Sequence, residues 1–97
     1  MKKERPPTAF WRVELSGEAR RNLAGLDRQA AVRILGFLSQ RLARLDDPRS
    51  IGEALKGARL GALWKYRVGD YRLICDIQDR ALLVLVVRIG NRRDAYR

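Results

Sequence analysis

Polar and apolar residues alternate over Phe10-Trp11-Arg12-Val13-Glu14-Leu15, so Trp11, Val13 and Leu15 share one face, as in a half-buried strand. Ser16 follows as a helix N-cap, with Glu18 in the first turn where the helix dipole favours a carboxylate. A helix is predicted from Gly17 to about Leu26, and Asp27 caps a second. In that second helix Ala31, Ile34, Leu35, Leu38, Leu42 and Leu45 recur at three- and four-residue steps and form one apolar stripe. Arg28, Arg33, Arg41 and Arg44 fall mostly away from it, and Pro48 marks its end. The stretch from Asp46 to Gly61 holds Pro48, Gly52, Gly57 and Gly61 and reads as a loop, partly ordered by Ile51, Leu55 and Leu60. Three strands follow: Leu63 to Val68, Tyr71 to Ile77 and Ala81 to Ile89. Gly69-Asp70 joins the first two as a two-residue turn with glycine first, as type II′ prefers, and Gln78-Asp79-Arg80 joins the next two. The last strand is almost wholly apolar, which predicts a central position covered on both faces.

The predicted class is α+β, in the order β-α-α-β-β-β. The helical hairpin packs on one face of a small, antiparallel-rich sheet, because its stripe needs an apolar partner. The 97 residues suffice for one core. Residues 1–8 are expected to be a flexible basic arm, with Pro6-Pro7 blocking regular structure, and residues 9–97 the single domain.

The hairpin fixes a register. With Gly69-Asp70 as the turn, Val68 lies opposite Tyr71, Arg67 opposite Arg72, and Lys65 opposite Ile74. Side chains alternate between faces. Trp64, Tyr66 and Val68 therefore join Tyr71, Leu73 and Cys75 on a core face, while Lys65, Arg67 and Arg72 gather on the other. Opposed arginines repel, so this pairing works against the free protein. Two readings stand at this point: a face built for a phosphate backbone, or a solvated face with its side chains splayed into water. The C-terminal stretch Gly90-Asn91-Arg92-Arg93-Asp94-Ala95-Tyr96-Arg97 adds three arginines and a tyrosine after a glycine that permits a bend. It either folds back beside the cationic strands, offering a ring for base stacking, or frays.

Charge sharpens this picture. Lys plus Arg number 21 against 11 Asp plus Glu, a formal net charge of +10, and the sequence pI is near 11.0. Such a domain is a candidate polyanion binder. Only Lys2, Lys3, Lys56 and Lys65 are lysines, and the arginine bias favours phosphate forks and base stacking. Cys75 is the single cysteine and there is no histidine, so an internal disulfide and a Cys/His zinc site are excluded. No metal and no cofactor are expected, and the composition suits a reducing cytoplasm. The N-terminal stretch is not a signal peptide, because Arg12 and Glu14 interrupt it. The longest apolar run, Ala81 to Val87, is far short of the roughly 20 residues that span a bilayer, so no membrane partner is expected.

Several pieces in order resemble one family. They are Asp46-Asp47-Pro48-Arg49, Leu55-Lys56-Gly57, Trp64-Lys65-Tyr66-Arg67-Val68-Gly69-Asp70-Tyr71-Arg72-Leu73-Ile74, and the apolar strand running into Gly90-Asn91-Arg92-Arg93-Asp94-Ala95-Tyr96. Over about residues 10 to 96 the chain resembles the RelE branch of the RelE/ParE toxin superfamily. The resemblance implies a small twisted sheet with an N-terminal helical hairpin on one face. It also implies a toxin of a type II toxin–antitoxin system: a ribosome-dependent mRNA endoribonuclease that cleaves in the A site and inhibits translation. Lys65, Arg67, Arg72, Arg92 and Tyr96 would be its catalytic residues, with Lys56, Arg93 and Arg97 adding RNA contacts. The implied partners are mRNA on the ribosome, 30S ribosomal RNA, and a cognate RelB-like antitoxin whose acidic segment covers the cations in a hetero-oligomer.

Cleavage without metal uses the neighbouring 2′-hydroxyl as nucleophile. It needs a base, cations for the phosphorane and an acid for the leaving oxygen. With no histidine, Lys65 is the expected base, Arg67 and Arg72 the phosphate clamp, Arg92 the partner of the leaving oxygen or a further member of the clamp, and Tyr96 a stacking ring or helper of the 2′-hydroxyl. Arg67 stands where some relatives have Lys and Asn91 where many have His, which leaves the division of acid and base roles open. The competing readings are a ParE-like inhibitor of DNA gyrase on the same fold, and an RNA-binding domain without catalysis.

Overall fold

The computed structural model describes residues 11–55 and 63–91. The alternation after Trp11 forms strand β1 (Arg12–Leu15), with Arg12 and Glu14 exposed and Val13 and Leu15 half-buried. Ser16 then starts helix α1 (Gly17–Ala24), its Oγ accepting from the Ala19 N–H at 3.0 Å. Asp27 starts helix α2 (Arg28–Gly36), accepting from the Ala30 N–H at 2.8 Å. Helix α1 ends at Ala24 rather than Leu26, because Gly25 and Leu26 form the short connection that leaves Asp27 extended for its cap.

Helix α2 does not run on regularly. It passes into a π turn (Phe37–Arg41) and a 3-10 turn (Leu42–Arg44). Ile34, Leu38 and Leu42, four residues apart, all enter the core, a spacing that suits the wider π turn. Leu35, expected in the stripe, is 45% exposed.

The sheet order is β1-β5-β4-β3-β2, where β2 is Glu53–Ala54, β3 Leu63–Val68, β4 Tyr71–Gln78 and β5 Leu83–Asn91. Strand β1 pairs parallel with β5, and every other pairing is antiparallel. Strand β5 is therefore interior but not in the central position that its apolar run predicts: β4 takes the centre, because β1 and β5 pair at one side and β3 and β2 lie at the other. Two corrections concern the connections. The expected loop after Asp46 contains a 3-10 turn (Pro48–Ile51) and the two-residue β2, so the observed order has one more strand than β-α-α-β-β-β. Strand β5 starts at Leu83 rather than Ala81, because Asp79–Ala81 form a 3-10 turn and Leu82 takes a left-handed φ of 49°. It also runs through Gly90, which is no bend but the partner of Arg72.

The β3–β4 register is the expected one: Val68 opposite Tyr71, Arg67 opposite Arg72, Lys65 opposite Ile74. Between β4 and β5 the register slips by one residue, since Cys75 pairs with Val86 but Ile74 with Arg88. Val87 is the extra residue. In an unbroken register Arg88 would face Leu73 on the core side; with Val87 bulged out Ile89 does, and Val84, Val86 and Ile89 all reach the core. Helix α1 holds the bulge in place. Ser16 Oγ donates to the Val87 carbonyl at 2.7 Å, and Asn22 Oδ1 accepts from the Ile89 N–H at 2.9 Å. The core lies between the helices and one sheet face, where Ala19, Ile34, Leu38 and Leu42 meet Tyr66, Val68, Leu73, Cys75, Val84 and Val86. The other face carries Lys65, Arg67 and Arg72 beside the buried Ile74 and Leu83.

Candidate functional site

Tight turn chemistry brings the cations together. Gly69 has φ +60° and Asp70 has no positive φ, the pattern of the expected II′ turn. The turn fixes Lys65, Arg67 and Arg72 on one face, around a cleft of about 360 Å³ also lined by Ile51, Glu53 and Tyr66. Arg67 is exposed, whereas Arg72, on the central strand, is only 8% exposed. The expectation of side chains splayed into water therefore fails at Arg72. Gly90 lies directly across from it and contributes no side chain to that face.

Strand β2 adds a residue that the sequence reading missed. Glu53 pairs with Lys65 across the β2–β3 ladder, and its Oε1 lies 3.4 Å from Lys65 Nζ. An ion-paired ammonium serves as a cation. Its partner, Glu53, is the carboxylate among the described residues that line this cleft.

The segment bearing Ile51 and Glu53 is clamped from behind. Asp47 caps the 3-10 turn, accepting from the Arg49 N–H at 3.0 Å. Tyr66 donates its hydroxyl to the buried Pro48 carbonyl at 2.7 Å. Gly52 lets the Tyr66 ring approach: a methyl group there would lie 2.7 Å from Tyr66 Cε1. Arg49 forks onto Asp79, with Nη1 and Nη2 at 3.0 and 2.6 Å from the two carboxylate oxygens. It also bonds Asp47 Oδ1 at 3.3 Å and lies over the Trp64 ring, 5.9 Å from its centroid. The Asp79 hydrogen bond raises the Arg49 pKa, and the same bond lowers that of Asp79. Burial pushes the Tyr66 hydroxyl well above its ordinary range, so it is a structural donor rather than a base. Burial likewise pushes the Cys75 thiol up to about 12 and leaves it inert, in keeping with a small core residue.

Of the expected catalytic residues, Lys65, Arg67 and Arg72 share this cleft. Arg92 and Tyr96, and the expected RNA-contact residues Lys56, Arg93 and Arg97, lie outside the described residues, as does the arm of residues 1–8. No signal in the chain pointed to Glu53, a lone acid between two glycines on a strand too short to show a period. Among the described residues no helix is long and apolar enough to cross a membrane.

The comparisons with known proteins agree with one another. Residues 13–96 match the family model described as the ParE toxin of the type II toxin–antitoxin system parDE. The chain is 31% identical over 85 residues to Toxin RelG of Mycobacterium tuberculosis (strain ATCC 25618 / H37Rv), a match covering 88% of this chain and 94% of that one. Its fold is similar to the toxin–antitoxin complex RelBE2 from Mycobacterium tuberculosis, with a TM-score of 0.78 and 28% identity over 90% of this chain and 97% of that one. It is also similar to the archaeal RelE–RelB complex from Pyrococcus horikoshii OT3, with a TM-score of 0.69 and 25% identity over 88% and 98% of the two chains.

Proposed function

The chain belongs to the RelE/ParE superfamily of type II toxin–antitoxin toxins, and on that premise we propose that it is a ribosome-dependent mRNA endoribonuclease acting in the cytoplasm. The observation that supports this reading is the convergence of Lys65, Arg67 and Arg72 around one cleft with a carboxylate at its edge. Those groups match the needs of RNA cleavage by the neighbouring 2′-hydroxyl. Glu53 takes the proton from the 2′-hydroxyl, replacing Lys65 in the base role expected from sequence. The 2′-oxygen then bonds to phosphorus as the bond to the 5′-oxygen breaks, and the departing 5′-oxygen takes a proton from water, leaving a 2′,3′-cyclic phosphate and a 5′-hydroxyl. Arg67 and Arg72 clamp the non-bridging oxygens, and Lys65 adds a third positive charge as the phosphorane forms. Arg92 and Tyr96 are assigned the leaving oxygen and base stacking.

In this reading the partner is a RelB-like antitoxin whose acidic segment covers the cationic face, since the similar structures include complexes with RelB. The second reading is a ParE-like inhibitor of DNA gyrase on the same fold, weighed here because the matching family model is described as a ParE toxin. One experiment separates the two. The purified chain is added to translating ribosomes, mRNA 5′ ends are mapped by primer extension, and a gyrase supercoiling assay runs beside it. Cuts within translated codons that vanish with Arg72→Ala and without ribosomes support the nuclease. Intact mRNA together with blocked supercoiling overturns it in favour of gyrase.

A further inference from the structure

A second cleft, of about 400 Å³, opens between the π turn and strand β3. Arg33, Arg41 and Arg67 all line it, together with Phe37, Tyr66 and Ile51. The π turn explains how two of these arginines come to face the same way. Eight residues of regular α-helix would carry Arg41 about 80° around the axis from Arg33. The one extra residue of a π turn takes back about 100°, so Arg33, Phe37 and Arg41 form one line along the helix. Phe37 anchors that line on the sheet, its ring 6.0 Å from that of Tyr66. Gly69 gives Arg33 its place across the β3–β4 turn, since a methyl there would lie 2.9 Å from Arg33 Nη1.

What sets these three apart is that they line one cleft: among the described residues Arg20, Arg21, Arg28 and Arg80 also lack a carboxylate partner, but none of them lines it. Arg12, Arg49, Lys65 and Arg88 each pair with a carboxylate. Among the described residues no carboxylate pairs with Arg33, Arg41 or Arg67, and Asp70 of the adjacent turn makes no ion pair with Arg33. Three guanidiniums thus line one concave surface with no carboxylate bonded to them among the described residues. An anion with several oxygens is the ligand such a site fits. The cleft is also continuous with the first one, sharing Ile51, Tyr66 and Arg67. Ile51, 37% exposed, gives the junction an apolar surface for a base or ribose.

We propose that this cleft is a second phosphate subsite, holding the backbone of the same RNA strand whose scissile phosphate sits between Lys65, Arg67 and Arg72. The subsite rests on the RNA-cleaving reading and extends it: Arg67 bridges two phosphates, and Arg33 and Arg41 fix the direction of the strand across the β3–β4 turn.

The test measures binding of the full chain to a 2′-O-methyl RNA of about ten nucleotides, which cannot be cut, and to a dinucleoside monophosphate, which can fill only one subsite. For Arg33→Gln/Arg41→Gln the expected result is about tenfold weaker binding of the longer RNA. The slope of log K against log salt should be shallower by about 0.7 for each phosphate that the variant no longer neutralises, with dinucleotide binding unchanged and the thermal unfolding midpoint equal to or above the wild type. Arg33→Lys/Arg41→Lys should recover most of the slope, because the point charges return. Wild-type affinity and slope in the Gln variant would overturn the subsite, as would an equal loss on the dinucleotide. A loss confined to binding of 30S subunits would overturn the same-strand assignment in favour of ribosomal RNA. Failure of the wild-type chain to bind the longer RNA, while the same chain still cuts mRNA on translating ribosomes, would overturn the subsite alone; failure of both would overturn the RNA-cleaving reading as well.

Discussion

Arg49 and Arg67 are both guanidiniums beside strand β3, and their settings are opposite. Arg49 is ion-paired with Asp47 and Asp79 and lies over Trp64. Arg67 faces Arg72 across the ladder and pairs with no carboxylate among the described residues. The first region spends its charges on joining a loop to the sheet. The second holds like charges together around a cleft. Where charges are satisfied internally, mutation should change stability; where they are left to a ligand, mutation should change binding and catalysis.

The largest expected effect lies in the cleft. Glu53→Gln keeps the shape of β2 but removes the proton acceptor, so single-turnover mRNA cleavage should slow by about 10²- to 10⁴-fold with little change in unfolding. Gly52→Ala should do the reverse of a clean active-site change. The new methyl meets the Tyr66 ring at 2.7 Å, so denaturant titration should show a loss of about 1–3 kcal/mol, and cleavage should fall as Glu53 is displaced with the strand. Tyr66→Phe removes one buried hydrogen bond to the Pro48 carbonyl. It should cost about 1–2 kcal/mol by the same titration, with RNA binding kept.

The smallest effect belongs to the paired region. Asp79 has its pKa lowered in the folded chain by Arg49, from an ordinary value of 3.8. Its contribution to stability is therefore present above about pH 4 and lost as pH falls through the lowered folded value. The acid limb of the unfolding midpoint between about pH 5 and 2 should be shallower in Asp79→Asn than in the wild type. Identical limbs would remove Asp79 from the clamp.

What the sequence made legible followed from strong local signals. The Gly69-Asp70 turn and the aromatic alternation on β3 set the register that brings Lys65, Arg67 and Arg72 together. Ser16 and Asp27 announced both helix starts. The features that escaped are those with no periodic trace. Val87 is a bulge inside an apolar run, where a one-residue slip leaves the pattern looking continuous. The π turn hides in a stripe whose three- and four-residue steps also fit an ordinary helix, and it explains both the exposure of Leu35 and the alignment of Arg33 with Arg41. Glu53 sits on a two-residue strand whose pairing depends on the Pro48 carbonyl and on the close approach of Gly52 to Tyr66, neither of which is a property of neighbouring sequence.

The central claim is that the cations of the β3–β4 face are held for RNA at some cost to the free fold. Arg67→Gln tests it most directly, with cleavage of ribosome-programmed mRNA and denaturant unfolding measured on the same preparation. The account predicts cleavage slower by about 10²-fold or more, with an unfolding midpoint equal to or above the wild type because the repulsion from Arg72 is relieved. Cleavage at the wild-type rate, or cleavage and stability falling together, would contradict it.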